Sequence, residues 1–244
     1  MQWKTAISNV NDGQEIIRGY NLHELVENKS FVETVFLIWR GKLPTVKETK
    51  MLNAMLTAMI DHGVGVASAM VPRMVASVGN DLHVSVAAGI LALGGNKHGG
   101  ALEGAAKFFQ TNVGVSDLEF LLKSLKEKKV RIPGYGHRVL SHDNRTDTLF
   151  TVAKETGLYG KHCSFAVTVG EALNKISSKP LPLNMDGANA AILSDMGFDW
   201  RIATGFFILG RVPGLIAHTY EEMMSGEGIR RLDESEIEYE GGEI

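Results

Sequence analysis

Cysteine is nearly absent. Cys163 stands alone in 244 residues, which excludes an internal disulfide framework and leads us to expect a reducing, cytoplasmic setting. A basic excess is missing too. The net charge is -3, so no feature points to nucleic acid, and no polybasic stripe points to a membrane surface. The first residues, "MQWKTAISNV", hold no apolar run, so no signal peptide is expected. Glycine, histidine or charge interrupts the longest apolar stretches, which argues against a membrane span. Period-two alternation is rare, and there is neither an internal repeat nor a low-complexity linker. The remainder, 44% hydrophobic and 22% charged, is an ordinary globular composition, long enough to bury a core as one large domain or two small ones.

Helix signals fill the chain. Ser30 with Glu33 and Thr45 with Glu48 form capping boxes, and Ser116 with Glu119 repeats the spacing before "FLLKSL". After Thr45, Leu52, Met55, Leu56, Met59 and Ile60 recur at helical spacing. Gly41 and Pro44 close one helix and Gly63 the next. "DLHVSVAAGILAL" (81–93) is apolar on most faces and reads as a buried helix. "DWRIATGFFILGRVPGLIAHTYEEMM" (199–224) reads as a long, mostly buried helix bent near Pro213. Short extended pieces fit at Met1–Val10, Val130–Ile132 and Leu181–Asn184. The fold class is therefore mainly α. The acidic end, "LDESEIEYEGGEI", is most simply a solvated tail.

Four ionisable residues sit among glycines or at helix ends: His62 in "IDHGVG", His98 in "NKHGGA", His137 in "RIPGYGHRVL" and Asp186 in "LPLNMDGANAAIL". Each has a structural explanation. His62 suits a helix C-terminus, Asp186 an N-cap, and His137 a turn. Together they suggest a site, because glycine admits close approach of a ligand to the backbone. Helix starts after His98 and at Asp186 would also direct N–H groups at an anion or a developing oxyanion. Metal-ligand spacing is absent, with no HxxxH or HxH pair, so no metal is expected. Neither a P-loop nor a dinucleotide fingerprint is present.

"KHGGALEGAA", "IPGYGHRVL" and "NMDGANAAIL" resemble, in order and spacing, the three active-site segments of the citrate synthase superfamily. "IDHG" and "LGRVPGLIAH" extend the likeness, which covers about Trp3 to Arg231. The resemblance implies a citrate-synthase-like helical fold, with residues 1–95 and 190–244 as a large dimerising domain and 96–189 as a smaller one. Relative to citrate synthase the chain looks truncated at its N-terminus. In this short form it is most similar to the citryl-CoA lyase group and to the C-terminal citrate-synthase-like module of ATP-citrate lyase.

That resemblance implies retro-aldol cleavage of citryl-CoA to acetyl-CoA and oxaloacetate through an acetyl-CoA enolate. The alternatives are a compact citrate or methylcitrate synthase and a non-catalytic CoA-binding module. It assigns catalysis to His98, His137 and Asp186, and substrate binding to His62, Arg145, Arg211 and Arg231, the last reaching across a dimer. It places coenzyme A along Arg131, Ile132, Pro133, Gly134, Tyr135 and Gly136, whose turn backbone the glycines leave open, with nearby lysines such as Lys126 and Lys129 to attract phosphates. It requires no permanently bound cofactor, the coenzyme A thioester being substrate. The partners it implies are a second copy, as homodimer or larger homo-oligomer, and a citryl-CoA synthetase or ATP-citrate lyase subunit.

Overall fold

The computed structural model describes residues 3–95, 98–136 and 143–242. Within them lie eleven α-helices and one small sheet. The chain opens with an antiparallel ribbon, β1 (Ser8–Asn11), β2 (Gln14–Ile17) and β3 (Tyr20–Asn21), in the order β1-β2-β3. Its first turn uses Asp12 and Gly13, both at positive φ, the backbone that a tight hairpin requires. The expected extended start therefore becomes a hairpin.

Helices follow: α1 (Leu22–Asn28), α2 (Phe31–Arg40), α3 (Val46–Ala58), α4 (Ala67–Ser77), α5 (Leu82–Leu93) and α6 (Gly100–Asn112). Then come α7 (Leu118–Glu127), α8 (Asn144–Thr156), α9 (Lys161–Ile176), α10 (Met185–Asp195) and α11 (Ala203–Ser225), with a 3-10 turn at Trp200–Ile202. Both leading capping boxes form as the sequence requires, Ser30 with Glu33 and Thr45 with Glu48. The third does not. Asp117, one residue later than expected, caps α7 by accepting from Phe120 N, a carboxylate being at least as good a cap as a hydroxyl. Gly41 ends α2 in the left-handed conformation, whereas α3 ends at Met59 and Gly63 instead shapes the turn beyond it.

The core is continuous through Phe36, Met55, Leu93, Phe109, Ile192 and Phe206. Two apolar segments behave differently from expectation. Helix α5 is not buried all round: Ser85, Gly89 and Leu93 are, while Val84 and Leu91 face out. Helix α11, with Trp200–Ile202, is long and apolar enough by composition to cross a bilayer, despite its interruptions. It nevertheless buries Arg211 and Glu222 and packs against α3, α4, α5 and α6, as a core helix does.

Three close approaches position the functional elements. A Cβ at Gly89 would lie 3.0 Å from the Ser68 carbonyl. That carbonyl is the one Pro72 cannot bond within α4, and α5 covers it. A Cβ at Gly210 would lie 2.9 Å from Met59 Cβ, so α11 runs tightly past the turn after α3. At Gly134, φ is +87° and a Cβ would meet Gly187 Cα at 2.7 Å, so the 133–136 turn lies directly on the start of α10.

Candidate active site

Five of the residues expected in catalysis or substrate binding, His62, His98, Arg145, Asp186 and Arg211, line one cavity of about 650 Å³. They arrive from the turn after α3, the start of α6, the first turn of α8, the first turn of α10 and the middle of α11. His137 lies outside the described residues. Gly136, the residue before it, lines the same cavity.

Asp186 is the second residue of α10, not its cap. Asn184 caps the helix by accepting from Gly187 N. Asp186 is half-buried as a residue, but its Oδ1 is shielded from solvent and has no partner. Burial pushes its pKa up to about 6, outweighing the opposing charges of Arg145 and Arg211, while Asp143 adds to the rise. The helix start favours a carboxylate, and here desolvation wins. The result is a carboxyl group that can hold or give a proton near neutrality.

Arg211 is 2% exposed. Its Nε donates to the Met59 carbonyl at 2.7 Å, and its guanidinium carbon sits 5.0 Å from the centre of the Phe207 ring. Its Nη1 is buried without a partner. Burial lowers its pKa, with Asp61 and Asp186 opposing. Arg211 Nη1 and Asp186 Oδ1, on residues lining one cavity, make no hydrogen bond within the protein and are suited to a polar ligand.

His98 is half-buried, with its ring edge-on to Phe207 and Nε2 2.7 Å from Ser68 Oγ. Burial first, then the charges of Arg211 and His62, lower its pKa, so the neutral imidazole prevails at pH 7. Such a ring is a hydrogen-bond donor suited to a developing oxyanion. Gly99 stands beside it because a Cβ there would lie 2.8 Å from the Leu93 carbonyl. His62 is held by the turn: Asp61 accepts from Gly63 N at 2.9 Å and pairs with His218 of α11 at 3.1 Å. Its Nδ1 lies 3.2 Å from Arg145 Nη1.

The segment expected to bind coenzyme A divides. Gly136 borders the main cavity, while Arg131, Ile132 and Pro133 line a second one of about 280 Å³ beside α6 and α7. The turn backbone is less open than the glycines suggest. The Gly134 carbonyl accepts from Asn184 N, Gly136 N donates to the Pro182 carbonyl, and the Gly136 carbonyl accepts from Asn184 Nδ2. Tyr135 donates to the Ala166 carbonyl at 2.7 Å. Arg231 is exposed in the tail and does not line the cavity, while its neighbour Arg230 pairs with Glu222 and Glu227. No group of three or more metal-ligating side chains occurs among the described residues.

Sequence reasoning missed Ser68 and Asp143. Ser68 carries no local signal. Asp143, two residues before Arg145, had the signature of a helix cap.

The family profile for citrate synthase, C-terminal domain, matches residues 2–58 and 46–232. Citrate synthase 2 of Bacillus subtilis is 31% identical over 92% of this chain and 59% of its own length. A probable ATP-citrate synthase subunit 1 of Neurospora crassa is 31% identical over 96% of this chain and 38% of its own. The chain thus spans only part of these two curated relatives. The structure of citryl-CoA lyase from Hydrogenobacter thermophilus superposes with a TM-score of 0.92 at 48% identity, covering 99% of this chain and 96% of that one. The matched motifs, the fold and the cavity lined by His98 and Asp186 agree, and the chain belongs to the citrate synthase family.

Proposed function

We propose that the chain is a carbon–carbon lyase that cleaves citryl-CoA to acetyl-CoA and oxaloacetate. The observation that carries this reading is the buried Asp186 carboxyl, with an unpartnered oxygen, facing the same cavity as a neutral His98 and two arginines. Arg211, whose Nη1 has no partner, and Arg145, whose Nη1 lies beside His62 at the cavity, suit the two carboxylates of the oxaloacetate half, since a charged N–H is a strong donor to a carboxylate. His62 adds a hydrogen bond to the substrate hydroxyl or to a carboxylate.

His137 accepts the proton of the tertiary hydroxyl as the carbon–carbon bond breaks and the ketone of oxaloacetate forms. The bonding pair passes to the acetyl thioester as an enolate, whose oxygen His98 holds by a hydrogen bond. Protonated Asp186 delivers its proton to the enolate carbon, giving acetyl-CoA. One proton leaves the substrate and one returns, so no water is consumed. Run in reverse, Asp186 is the base and His137 the acid.

Coenzyme A would extend from Gly136 toward Arg131, a course favoured by the second cavity beside Ile132 and Pro133. The smaller domain, 96–189, would close over substrate and exclude water. Apolar side chains left exposed on mutually packed helices, among them Met70, Met74, Leu91 and Met223, favour a second copy as partner. Arg231 would enter that copy's site. A cytoplasmic location and a citryl-CoA synthetase or ATP-citrate lyase partner belong to the same proposal.

A synthase is the second reading, favoured by the likeness to citrate synthase 2. Incubation with citryl-CoA, and separately with acetyl-CoA plus oxaloacetate, distinguishes the two. Acetyl-CoA and oxaloacetate from the first, without free thiol, is the expected result. Free thiol from the second would establish the synthase instead.

A further inference from the structure

We propose that Asp143 is a positioning residue whose buried carboxylate joins the guanidinium of Arg145 to the first N–H of α10, making the substrate-binding cation and the helix that carries Asp186 one unit. The proposal rests on the reading of Arg145 and Asp186 as site residues.

Asp143 is 1% exposed. Its Oδ1 accepts from Arg145 N at 3.1 Å and Arg145 Nε at 2.9 Å. Its Oδ2 accepts from Arg145 Nη2 at 2.9 Å and Met185 N at 3.1 Å. The two-pronged grip on Nε and Nη2 fixes the plane of the guanidinium and leaves Nη1 toward His62 and the cavity. A free arginine side chain would sample many rotamers, and ordering it on binding would weaken affinity.

The contact with Met185 N satisfies one of the amides that a helix start leaves unpaired, one residue before Asp186. Thr146 Oγ1, donating to the Leu183 carbonyl at 3.3 Å, adds a second tie between α8 and the approach to α10. Asp143 also caps α8, but that role uses only the contact with Arg145 N. Asparagine caps a helix as well as aspartate does, yet it cannot accept at both positions or carry the charge.

The charged groups facing Asp186 are Asp143 and Arg145 from α8 and Arg211 from α11, with His98 and His62 on the same cavity. Asp143 is the anion among them, and Arg145, held against it, is partly neutralised as seen from Asp186. Removing the Asp143 charge therefore favours ionisation of Asp186.

The test is Asp143→Asn, with folding followed by circular dichroism. The Asp186 carboxyl is titrated by carbon-13 NMR, assigned through Asp186→Asn, and KM and kcat are measured for citryl-CoA. Positioning predicts a titration about one pH unit lower and a KM raised about tenfold or more. The alkaline limb of kcat/KM moves to lower pH with the titration. A folded variant with unchanged titration and unchanged KM would make Asp143 a helix cap and overturn the proposal.

If Asp143→Asn leaves Arg145 buried without its partner and fails to fold, Arg145→Gln is compared with Arg145→Gln/Asp143→Asn. Removing both charges of such a pair is better tolerated than removing one. The proposal then requires similar KM values in the two variants and a lower Asp186 titration in the double one. A further large rise in KM, or an unmoved titration, contradicts it. Should the unaltered protein leave citryl-CoA intact, the lyase reading falls while the carboxyl titrations still decide the role of Asp143.

Discussion

Asp186 is costly to the fold because it is useful to the chemistry. Its pKa rises from 3.8 to about 6 on folding. Between those values the folded chain holds a proton that the unfolded chain has released. Stability therefore falls as pH rises through this window, and the whole penalty, about 3 kcal/mol, persists above it. Asp186→Asn is expected to raise the urea midpoint at pH 8 by an amount worth about 2–3 kcal/mol, with the gain shrinking toward pH 4. The same variant should lose roughly 10²–10⁴ in turnover. His98→Ala should lose about 10²–10³ in kcat without that pH-dependent stabilisation. The sequence made His62, His98 and Asp186 legible, because ionisable groups among glycines and helix ends are uncommon, whereas Arg145 and Arg211 came only from the family resemblance. It could not reveal Ser68, which meets His98 from 30 residues away in the chain, where α5 packs closely on α4 at Gly89.

Helix ends were read well where a short side chain caps its own turn, as at Ser30 and Thr45. They were misread where two capping residues adjoin, as at Ser116 and Asp117, and where glycine follows the true end, as at Gly63. The role of Gly134 was hidden for a different reason. It suggested an open backbone, but the partner that forces it to be glycine, Gly187, lies over fifty residues away. Gly134→Ala combines positive φ with a steric clash and should cost about 3 kcal/mol, displacing α10 and lowering activity. Gly13→Ala, also at positive φ but with open space around it, should cost only about 1 kcal/mol and leave activity intact. Urea denaturation and citryl-CoA assays of the two variants check the contrast.

For the whole molecule, the mainly helical class followed from helical spacing and caps, whereas the arrangement of the helices came from the family's motifs. Periodicity could not tell whether the outer faces of α5 and α11 meet core or partner, since both are apolar. Their exposure in a single chain leads to a test of the proposed dimer. If Arg231 serves the partner's site, mixing inactive Arg231→Ala with inactive Asp186→Asn and allowing subunits to exchange should restore about a quarter of the activity, the statistical share of intact sites. No recovery, with exchange demonstrated, would confine Arg231 to its own chain.

Cleavage of citryl-CoA in deuterium oxide, read by mass spectrometry, tests the central claim most directly. Proton delivery from Asp186 to an enolate predicts oxaloacetate and acetyl-CoA carrying one deuterium in the methyl group, with no free thiol, and loss of this product in Asp186→Asn. Citrate and free coenzyme A instead, or unlabelled acetyl-CoA, would contradict it.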